Sequence, residues 1–302
     1  MKKQLCAAVL SALMATTVAI PTASSCYGVR AMGMGGAFIA VADDVQTVYW
    51  NPAGLVNVKE PQFGWQRSTN YRQNTNYIDV YEFAMPLEKD KSGIGLHYTN
   101  NWETPQFPIN EPEYNNYKSY WWTLSYGQKV SDKFSVGINV RLEKDSGEPI
   151  NNNNNNAAAT LLRGLKASAP SASSSVSETT WSTDLGFLYK ASPKLSFGIY
   201  IQDFSGRGKE ANYRPGVAYR PDNKTIIAFD VYNATEAYSS TRQHSIGIEH
   251  KATENLALRA GNYHGSMTYG VGVKIAKNTE LNFAYMADEF DGQKLIGLQT
   301  KF

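Results

Sequence analysis

Apolar and polar residues alternate along the chain from residue 61 onward. The pattern is clearest in residues 133–145, where every second position from Phe134 to Leu142 is apolar and the positions between them are polar or glycine. It returns near residues 181–189, 195–202 and 269–275, and it continues to the last residue. A period of two is typical of a β-strand whose two faces meet different environments. The pattern therefore predicts an all-β chain.

Turn residues divide this part of the chain into about fourteen predicted strands, an even number. Their ranges are 61–71, 77–86, 92–102, 117–128, 133–145, 177–191, 194–204, 212–220, 224–233, 241–251, 254–263, 266–275, 279–287 and 292–302. The connections LEKDKS, VSDK, ASPK, RPDN, ATEN and AKNT are tight, whereas residues 103–116 and 146–176 are the longest. Tight turns at one end and longer loops at the other are typical of a transmembrane antiparallel β-barrel.

A soluble β-sandwich would alternate in the same way, but three features favour the membrane barrel. They are an export signal, the asymmetry of the loops, and aromatic residues near strand ends, where Tyr and Trp prefer the membrane–water interface. These aromatic residues are Trp65, Tyr71, Tyr77, Trp102, Tyr213, Tyr219, Tyr232, Tyr263 and Phe290. We therefore predict that residues 61–302 form a closed barrel whose outer face contacts outer-membrane lipids, because an open sheet edge would leave unpaired backbone groups in hydrocarbon.

Residues 1–25 have the layout of a secretory signal peptide. Two lysines precede a mostly apolar run from Leu5 to Ile20, and small residues follow Pro21. Cleavage near Ser25 would leave Cys26 as the single cysteine, so no intramolecular disulfide is expected. Lipidation of Cys26 is an alternative that the sequence leaves open.

Charge argues against a nucleic-acid partner. The formal net charge is +2, and removal of Lys2 and Lys3 with the signal peptide takes it to 0. The remaining sequence has no basic block of the kind that holds nucleic acid. After residue 25 it also has no apolar stretch of the roughly 20 residues that a membrane-spanning helix needs.

Residues 26–60 precede the first predicted strand and contain the stretch GMGGAFIAVADDVQTVYWNPAGL. A dinucleotide-binding loop would need a third glycine where Phe38 stands. Asp43 and Asp44 are adjacent and lack a third oxygen ligand at a calcium-loop spacing. We therefore predict no metal and no cofactor. The sequence Asn51-Pro52-Ala53-Gly54 predicts a turn, and the small residues would let the segment fit inside a barrel.

Residues 31–55, AMGMGGAFIAVADDVQTVYWNPAGL, are similar to the amino-terminal segment of the FadL family of hydrophobic-compound channels and its relatives, which include the PorV-like proteins. The resemblance rests on Gly-Gly-Ala, Ala-Asp-Asp and Asn-Pro-Ala-Gly in this order. It implies an N-terminal hatch, or plug, that enters the lumen from the periplasmic side. The hatch residues that it implies are Gly35, Gly36, Ala37, Asp43, Asp44, Asn51, Pro52 and Ala53. We expect them to pack and to hydrogen-bond to the wall rather than to touch a substrate.

The end of the chain carries a second resemblance. An alternating strand that closes on Phe302 resembles the C-terminal assembly signal of outer-membrane barrels. It implies the barrel-assembly machinery as a partner and the outer membrane of a diderm bacterium as the location. The insert at 146–176 is rich in Asn, Ala and Ser and is expected to be a low-complexity extracellular loop.

The face opposite the apolar series carries charges of both signs. The residues predicted to line the lumen are Asn139, Arg141, Glu143, Asp184, Glu249 and Arg259. Both signs together suit a plugged lumen filled with paired charges and water, because unpaired charges there would be costly.

Two functions are left open. The leading hypothesis is a FadL-like channel for small hydrophobic compounds such as long-chain fatty acids or aromatics. The alternative is a PorV-like barrel that anchors or shuttles secreted proteins, because the chain is shorter than usual for FadL channels. An enzyme is not expected. His264 and Ser266 flank a hairpin turn with no acidic residue nearby in the sequence, so we predict no catalytic residue.

Overall fold

The computed structural model describes residues 27–70, 77–103, 114–149, 176–206, 211–234, 243–287 and 292–302. Within these ranges fourteen strands form a closed barrel. The strands are β1 Gln62–Asn70, β2 Tyr77–Glu88, β3 Ser92–Glu103, β4 Tyr114–Lys129, β5 Phe134–Pro149, β6 Val176–Ser192, β7 Leu195–Gly206, β8 Asn212–Tyr219, β9 Thr225–Tyr232, β10 Gln243–Lys251, β11 Leu256–Tyr263, β12 Ser266–Ala276, β13 Thr279–Met286 and β14 Gln293–Lys301. The signal peptide, Cys26 and residues 150–175 of the expected external loop lie outside the described residues.

Each strand pairs antiparallel with its neighbours in sequence, and β1 pairs with β14 to close the ring. This last ladder runs from Gln62 opposite Lys301 to Asn70 opposite Gln293. Closure removes the unpaired edges that an open sheet would expose. The predicted antiparallel barrel of fourteen strands is confirmed.

Several strands are longer than the sequence predicted, above all β4, β5 and β6. β5 continues to Pro149, and β6 begins at Val176, because Asp145, Ser146 and Gly147 pair with residues of β6. Paired backbone groups satisfy one another, so the ladder extends into residues that the composition alone assigned to a loop.

The two ends of the barrel differ as the sequence predicted. At one end, hereafter the short-turn end, residues 89–91, 130–133, 193–194, 220–224, 252–255 and 277–278 connect the strands. Most connections at the other end, the long-loop end, are longer. The exception is His264–Gly265 between β11 and β12, where the φ angles are 52° and 106°. Positive φ at both central residues is the geometry that two-residue hairpins favour.

The two faces of the wall differ sharply in exposure. In β5 the outward Ile138 and Val140 are 40% and 38% exposed, whereas the inward Asn139 and Arg141 are 1% and 2% exposed. Exposed outward apolar residues recur around the ring: Tyr81, Leu96, Trp122, Leu124, Tyr126, Trp181, Tyr189, Phe197, Ile199, Phe229, Leu258, Tyr269, Val271, Val273, Leu281, Phe283 and Ile296. An apolar surface of this extent is typical of a wall that faces lipid.

Two of the aromatic residues predicted to lie at the membrane interface are placed elsewhere. Tyr232 and Tyr263 are each 5% exposed and face inward, where both rings contact the ring of His264. That part of the prediction is wrong, because nearness to a strand end does not fix the face on which a side chain lies. Tyr71, Phe290 and the side chain of Trp102 lie outside what the structure describes.

Three short helices lie in the segment that precedes β1. They are α1 Val29–Gly33, α2 Thr47–Trp50 and the 3-10 helix Pro52–Asn57. Residues 27–58, hereafter the N-terminal segment, are mostly buried and contact inward-facing residues of the strands. In the described part of the chain, none of the helices has the length and apolar character needed to cross a membrane.

Candidate functional site

The interface between the N-terminal segment and the inward face of the wall is the candidate functional site. The segment turns sharply after α1, where Gly35 and Gly36 have φ angles of 66° and 69°. This left-handed conformation favours glycine. Glycine is also required at position 35 because there is no room for a side chain: a Cβ atom there would lie 2.5 Å from the backbone oxygen of Ile246. Ala37, which follows the turn, is fully buried.

Glycines on the wall let the segment approach the strands closely. A Cβ atom on Gly127 would lie 2.5 Å from Pro52 O, and one on Gly198 would lie 2.6 Å from Ile39 O. The same crowding occurs at other inward glycines: Gly95, Gly137, Gly186, Gly247, Gly261, Gly270 and Gly297. The sequence analysis missed these residues as part of the site. The available signal was the recurrence of glycine on the polar face of the predicted strands.

Wall side chains satisfy the backbone of the segment, which has no sheet partner. Asp230 Oδ2 accepts hydrogen bonds from Phe38 N at 2.7 Å and from Ile39 N at 2.9 Å. Gln66 Oε1 accepts from Gly28 N at 2.7 Å, and Ser196 Oγ donates to Ala40 O at 2.9 Å. Buried backbone groups need such partners, so these side chains determine where the segment rests.

The predicted turn at residues 51–54 is a capped 3-10 helix. Asn51 Oδ1 accepts from Ala53 N at 3.1 Å, and Pro52 occupies the first turn of the helix. Asn51 Nδ2 donates to Ile39 O at 2.8 Å and to the wall residue Phe187 at its backbone oxygen, 3.1 Å away. Asn51 and Ala53 are fully buried. Asn51 therefore joins two parts of the segment to β6.

A buried ion-pair cluster joins the segment to β10 and β11. In this Glu249 cluster, Arg30 of α1 contacts Asp43 at 2.6 Å, Asp44 at 2.8 Å and Glu249 at 2.7 Å. Glu249 also accepts from Arg259 Nε at 2.6 Å. Glu249 is thus shared by one arginine of the segment and one of the wall.

Burial and charge act in opposite directions at Arg30. Burial disfavours the charged guanidinium, but the carboxylates of Asp43, Glu249 and Asp44 outweigh it and raise the pKa of Arg30 further above its ordinary value. Burial raises the pKa of Asp44, while Arg30 opposes that change. Arg30 therefore remains a permanent cation at the centre of the cluster.

A second buried cluster lies on β5, β6 and β7. In this Asp184 cluster, Asp184 Oδ2 accepts from Arg141 Nη2 at 2.6 Å and from the hydroxyl of Tyr200 at 2.7 Å. Asp184 Oδ1 accepts from Asp203 N at 2.9 Å. Asn139 Nδ2 lies 3.3 Å from Asp184 Oδ2 and also donates to Val48 O of the segment at 3.2 Å.

Two further predicted site residues are Glu143 and Phe302. Glu143 is 6% exposed on the inward face of β5. Phe302 is 69% exposed at the short-turn end, where its backbone nitrogen donates to Pro61 O at 2.9 Å. Residues that the sequence analysis did not single out are Arg30 and Asp230, which make central contacts between the segment and the wall.

In the described residues, no group of three or more His, Cys, Asp or Glu side chains could hold a metal ion. His264 stacks on Tyr263 at a ring distance of 3.8 Å, and neither of its ring nitrogens has a hydrogen-bond partner among the described groups. His264 and Ser266 thus do not form a hydrogen-bonded nucleophile and base there.

Comparison with known proteins finds solved structures that have a similar fold. The sequence matches no protein-family model and no curated protein. The structure is similar to the toluene transporter TodX of P. putida, with 13% identity, a TM-score of 0.62, and coverage of 91% of this chain and 98% of TodX. It is also similar to the monoaromatic hydrocarbon channel CymD, with 15% identity, a TM-score of 0.61, and coverage of 90% and 96%.

A third similar structure is a Pseudomonas aeruginosa FadL homologue, at 12% identity and a TM-score of 0.58, with coverage of 90% of this chain and 97% of the homologue. The chain has the fold of these FadL-type proteins. At such identities the likeness concerns the fold alone. The described contacts between the segment and the wall are hydrogen bonds, ion pairs and van der Waals contacts.

Proposed function

We propose that this chain is a FadL-like channel of the outer membrane that takes up small hydrophobic compounds, with the N-terminal segment as its hatch. The observation that carries the proposal is the set of contacts between the segment and the inward wall. Hydrogen bonds, ion pairs and close glycine contacts hold the segment, and these can break and re-form. The fold shared with TodX and CymD supports a channel, since those proteins are a toluene transporter and a monoaromatic hydrocarbon channel.

The outer face supports the membrane location. Its exposed apolar residues would contact outer-membrane lipids, and the exposed Phe302 at the end of β14 is available to the barrel-assembly machinery. We accordingly place the chain in the outer membrane of a diderm bacterium as a multi-pass barrel.

Aromatic side chains beside the hatch support an apolar or aromatic cargo. The rings of Tyr27 and Trp121 lie 5.8 Å apart, and those of Tyr232 and Tyr263 lie 6.1 Å apart. Tyr27, Tyr232 and Tyr263 are buried, so their rings would offer an apolar surface to a compound only when the segment moves. Long-chain fatty acids and aromatic compounds both remain candidate substrates.

Conductance and uptake test the proposal together. Deletion of residues 31–55 should raise nonspecific conductance in planar bilayers, and loss of the gene should reduce uptake of toluene or of a long-chain fatty acid. Unchanged conductance from a correctly folded deletion variant would contradict the hatch. If the deletion variant does not fold, Glu249→Gln provides the same measurement with the segment still present.

A PorV-like platform for secreted proteins is the second candidate. The buried ion pairs of the Glu249 cluster favour it, because a barrel that only anchors other proteins needs a firmly closed lumen. Affinity capture of secreted proteins, together with unchanged uptake after gene loss, would support this candidate over the channel.

A further inference from the structure

A cavity of about 340 Å³ lies at the short-turn end, between the N-terminal segment and β6–β8. Its polar lining includes Asp43, Lys190, Ser196 and Arg220, and this cavity is hereafter the Arg220 cavity. The volume falls at the lower end of the roughly 300–1,000 Å³ that is usual for small-molecule sites.

The guanidinium of Arg220 makes only long hydrogen bonds. Its Nη1 donates to Ser196 Oγ at 3.1 Å, and its Nη2 lies 3.4 Å from both Val41 O and Asp43 Oδ2. Charge-assisted N–H···O bonds are usually about 2.7–2.9 Å. Asp43 is shared between two arginines, since its Oδ1 contacts Arg30 at 2.6 Å while its Oδ2 lies 3.4 Å from Arg220.

Lys190 adds a second cation on the same side of the cavity. Its Nζ donates to the neutral side chain of Asn57, and no carboxylate within the described ranges forms an ion pair with it. Other lysines lie close to this mouth. Burial and then the nearby Lys129 and Lys89 lower the pKa of Lys59, which lies outside the strands. Lys59 is paired with Asp90, and Lys129 is paired with Asp132. Among the described residues at this mouth, Lys190 is therefore a cation without an ion pair.

Apolar side chains also line the cavity. They are Ala40, Val41, Leu188 and Pro193, and the polar Asn57 and Ser192 complete the lining. A site that combines two cations with apolar groups matches a small molecule that has one acidic group and a short apolar body.

We propose that the Arg220 cavity binds a small amphipathic carboxylate, with the carboxylate between Arg220 and Lys190 and the apolar body against Val41 and Leu188. The bound carboxylate replaces Asp43 as the partner of Arg220. Occupancy thereby removes one contact between the wall and the N-terminal segment. The site goes beyond the proposed channel function, since it would bind its ligand whether or not the barrel conducts.

Binding is tested on the full chain in detergent by isothermal titration calorimetry with benzoate and hexanoate. Benzyl alcohol and hexanol serve as neutral counterparts, and inorganic phosphate serves as an anion without an apolar body. We expect both carboxylates to bind, and the alcohols and phosphate to bind at least about tenfold more weakly, because each loses one of the two kinds of contact.

Variants locate the site. Lys190→Gln and Arg220→Gln should each weaken benzoate binding by about tenfold or more. Lys277→Gln, an exposed lysine of another turn at the short-turn end, should leave it unchanged. Equal binding of benzoate and benzyl alcohol, or full affinity in Lys190→Gln, would overturn the proposal.

Asp43→Asn gives a result that misfolding cannot imitate. It removes the competing carboxylate, while Arg30 keeps Asp44 and Glu249 as partners. Benzoate should then bind about two- to fivefold more tightly, as expected for a partly exposed ion pair. An unchanged or weaker affinity would refute the competition between Asp43 and the ligand. If Arg220→Gln does not fold, Lys190→Gln and Asp43→Asn decide the question.

Discussion

The Glu249 cluster and the Asp184 cluster have the same chemistry but join different parts of the molecule. In the Glu249 cluster, the wall carboxylate is shared between Arg30 of the segment and Arg259 of the wall. In the Asp184 cluster, the arginine and the carboxylate both belong to the wall. The first therefore fastens the segment by an ion pair, whereas the second fastens strands to each other and reaches the segment only through the hydrogen bond from Asn139 to Val48 O. The elements that supply the charges, rather than the ion pair itself, decide what each cluster does.

The largest effect is expected from Glu249→Gln. This change leaves two buried arginines without their shared carboxylate, and breaking a buried pair in this way costs about 3–5 kcal/mol. We expect a lower free energy of unfolding together with raised bilayer conductance. Glu254→Gln in the exposed turn between β10 and β11 is the matched control. A destabilised variant with unchanged conductance would show that this cluster does not hold the segment in the lumen.

Asp184→Asn should lower the stability of the barrel without opening its lumen. It weakens the bonds to Arg141 and Tyr200, and a hydrogen bond to a charged group is worth about 1.5–3 kcal/mol. Because these partners belong to the wall, the unfolding free energy should fall while single-channel conductance stays at the level of the unchanged protein. An increase in conductance would show that the two clusters do not differ in role.

Gly137→Ala tests the close contact between the wall glycines and the N-terminal segment. A Cβ atom there would overlap Ala53 N and the carbonyl of Pro52, and overpacking costs about 1–3 kcal/mol. We expect faster proteolysis of the N-terminal segment. Ile138→Val, on the outward face of the same strand, is the control. Equal protease resistance in both variants would show that the segment does not depend on the wall glycines.

The smallest effect is expected from Asp230→Asn. The amide oxygen can still accept from Phe38 N and Ile39 N, so the loss is limited to the charge and amounts to about 1 kcal/mol. Hydrogen exchange at these two backbone amides should become faster. Unchanged protection would mean that other contacts hold this part of the segment.

The period-two pattern predicted the strands well because it reports a local property, the face on which each side chain lies. It placed Asn139 and Asp184 on the polar face, where both are buried. It could not predict that Arg30 meets Glu249, since these residues are 219 positions apart and their contact depends on how the ring closes. The wall glycines were missed for the same reason, because their neighbours come from the segment and not from adjacent strands.

Closure of the ring by β1 and β14 constrains the order in which parts of the barrel reach their final contacts. β1 gains its second sheet partner only when β14, the strand furthest from it in the sequence, pairs with it. Until that strand arrives, a partly formed sheet would keep two unsatisfied edges. The N-terminal segment precedes both strands in the sequence, but Gly247, Gly261 and Gly297, which it contacts, lie in later strands. The segment can therefore reach its final contacts only after those late strands have taken their places.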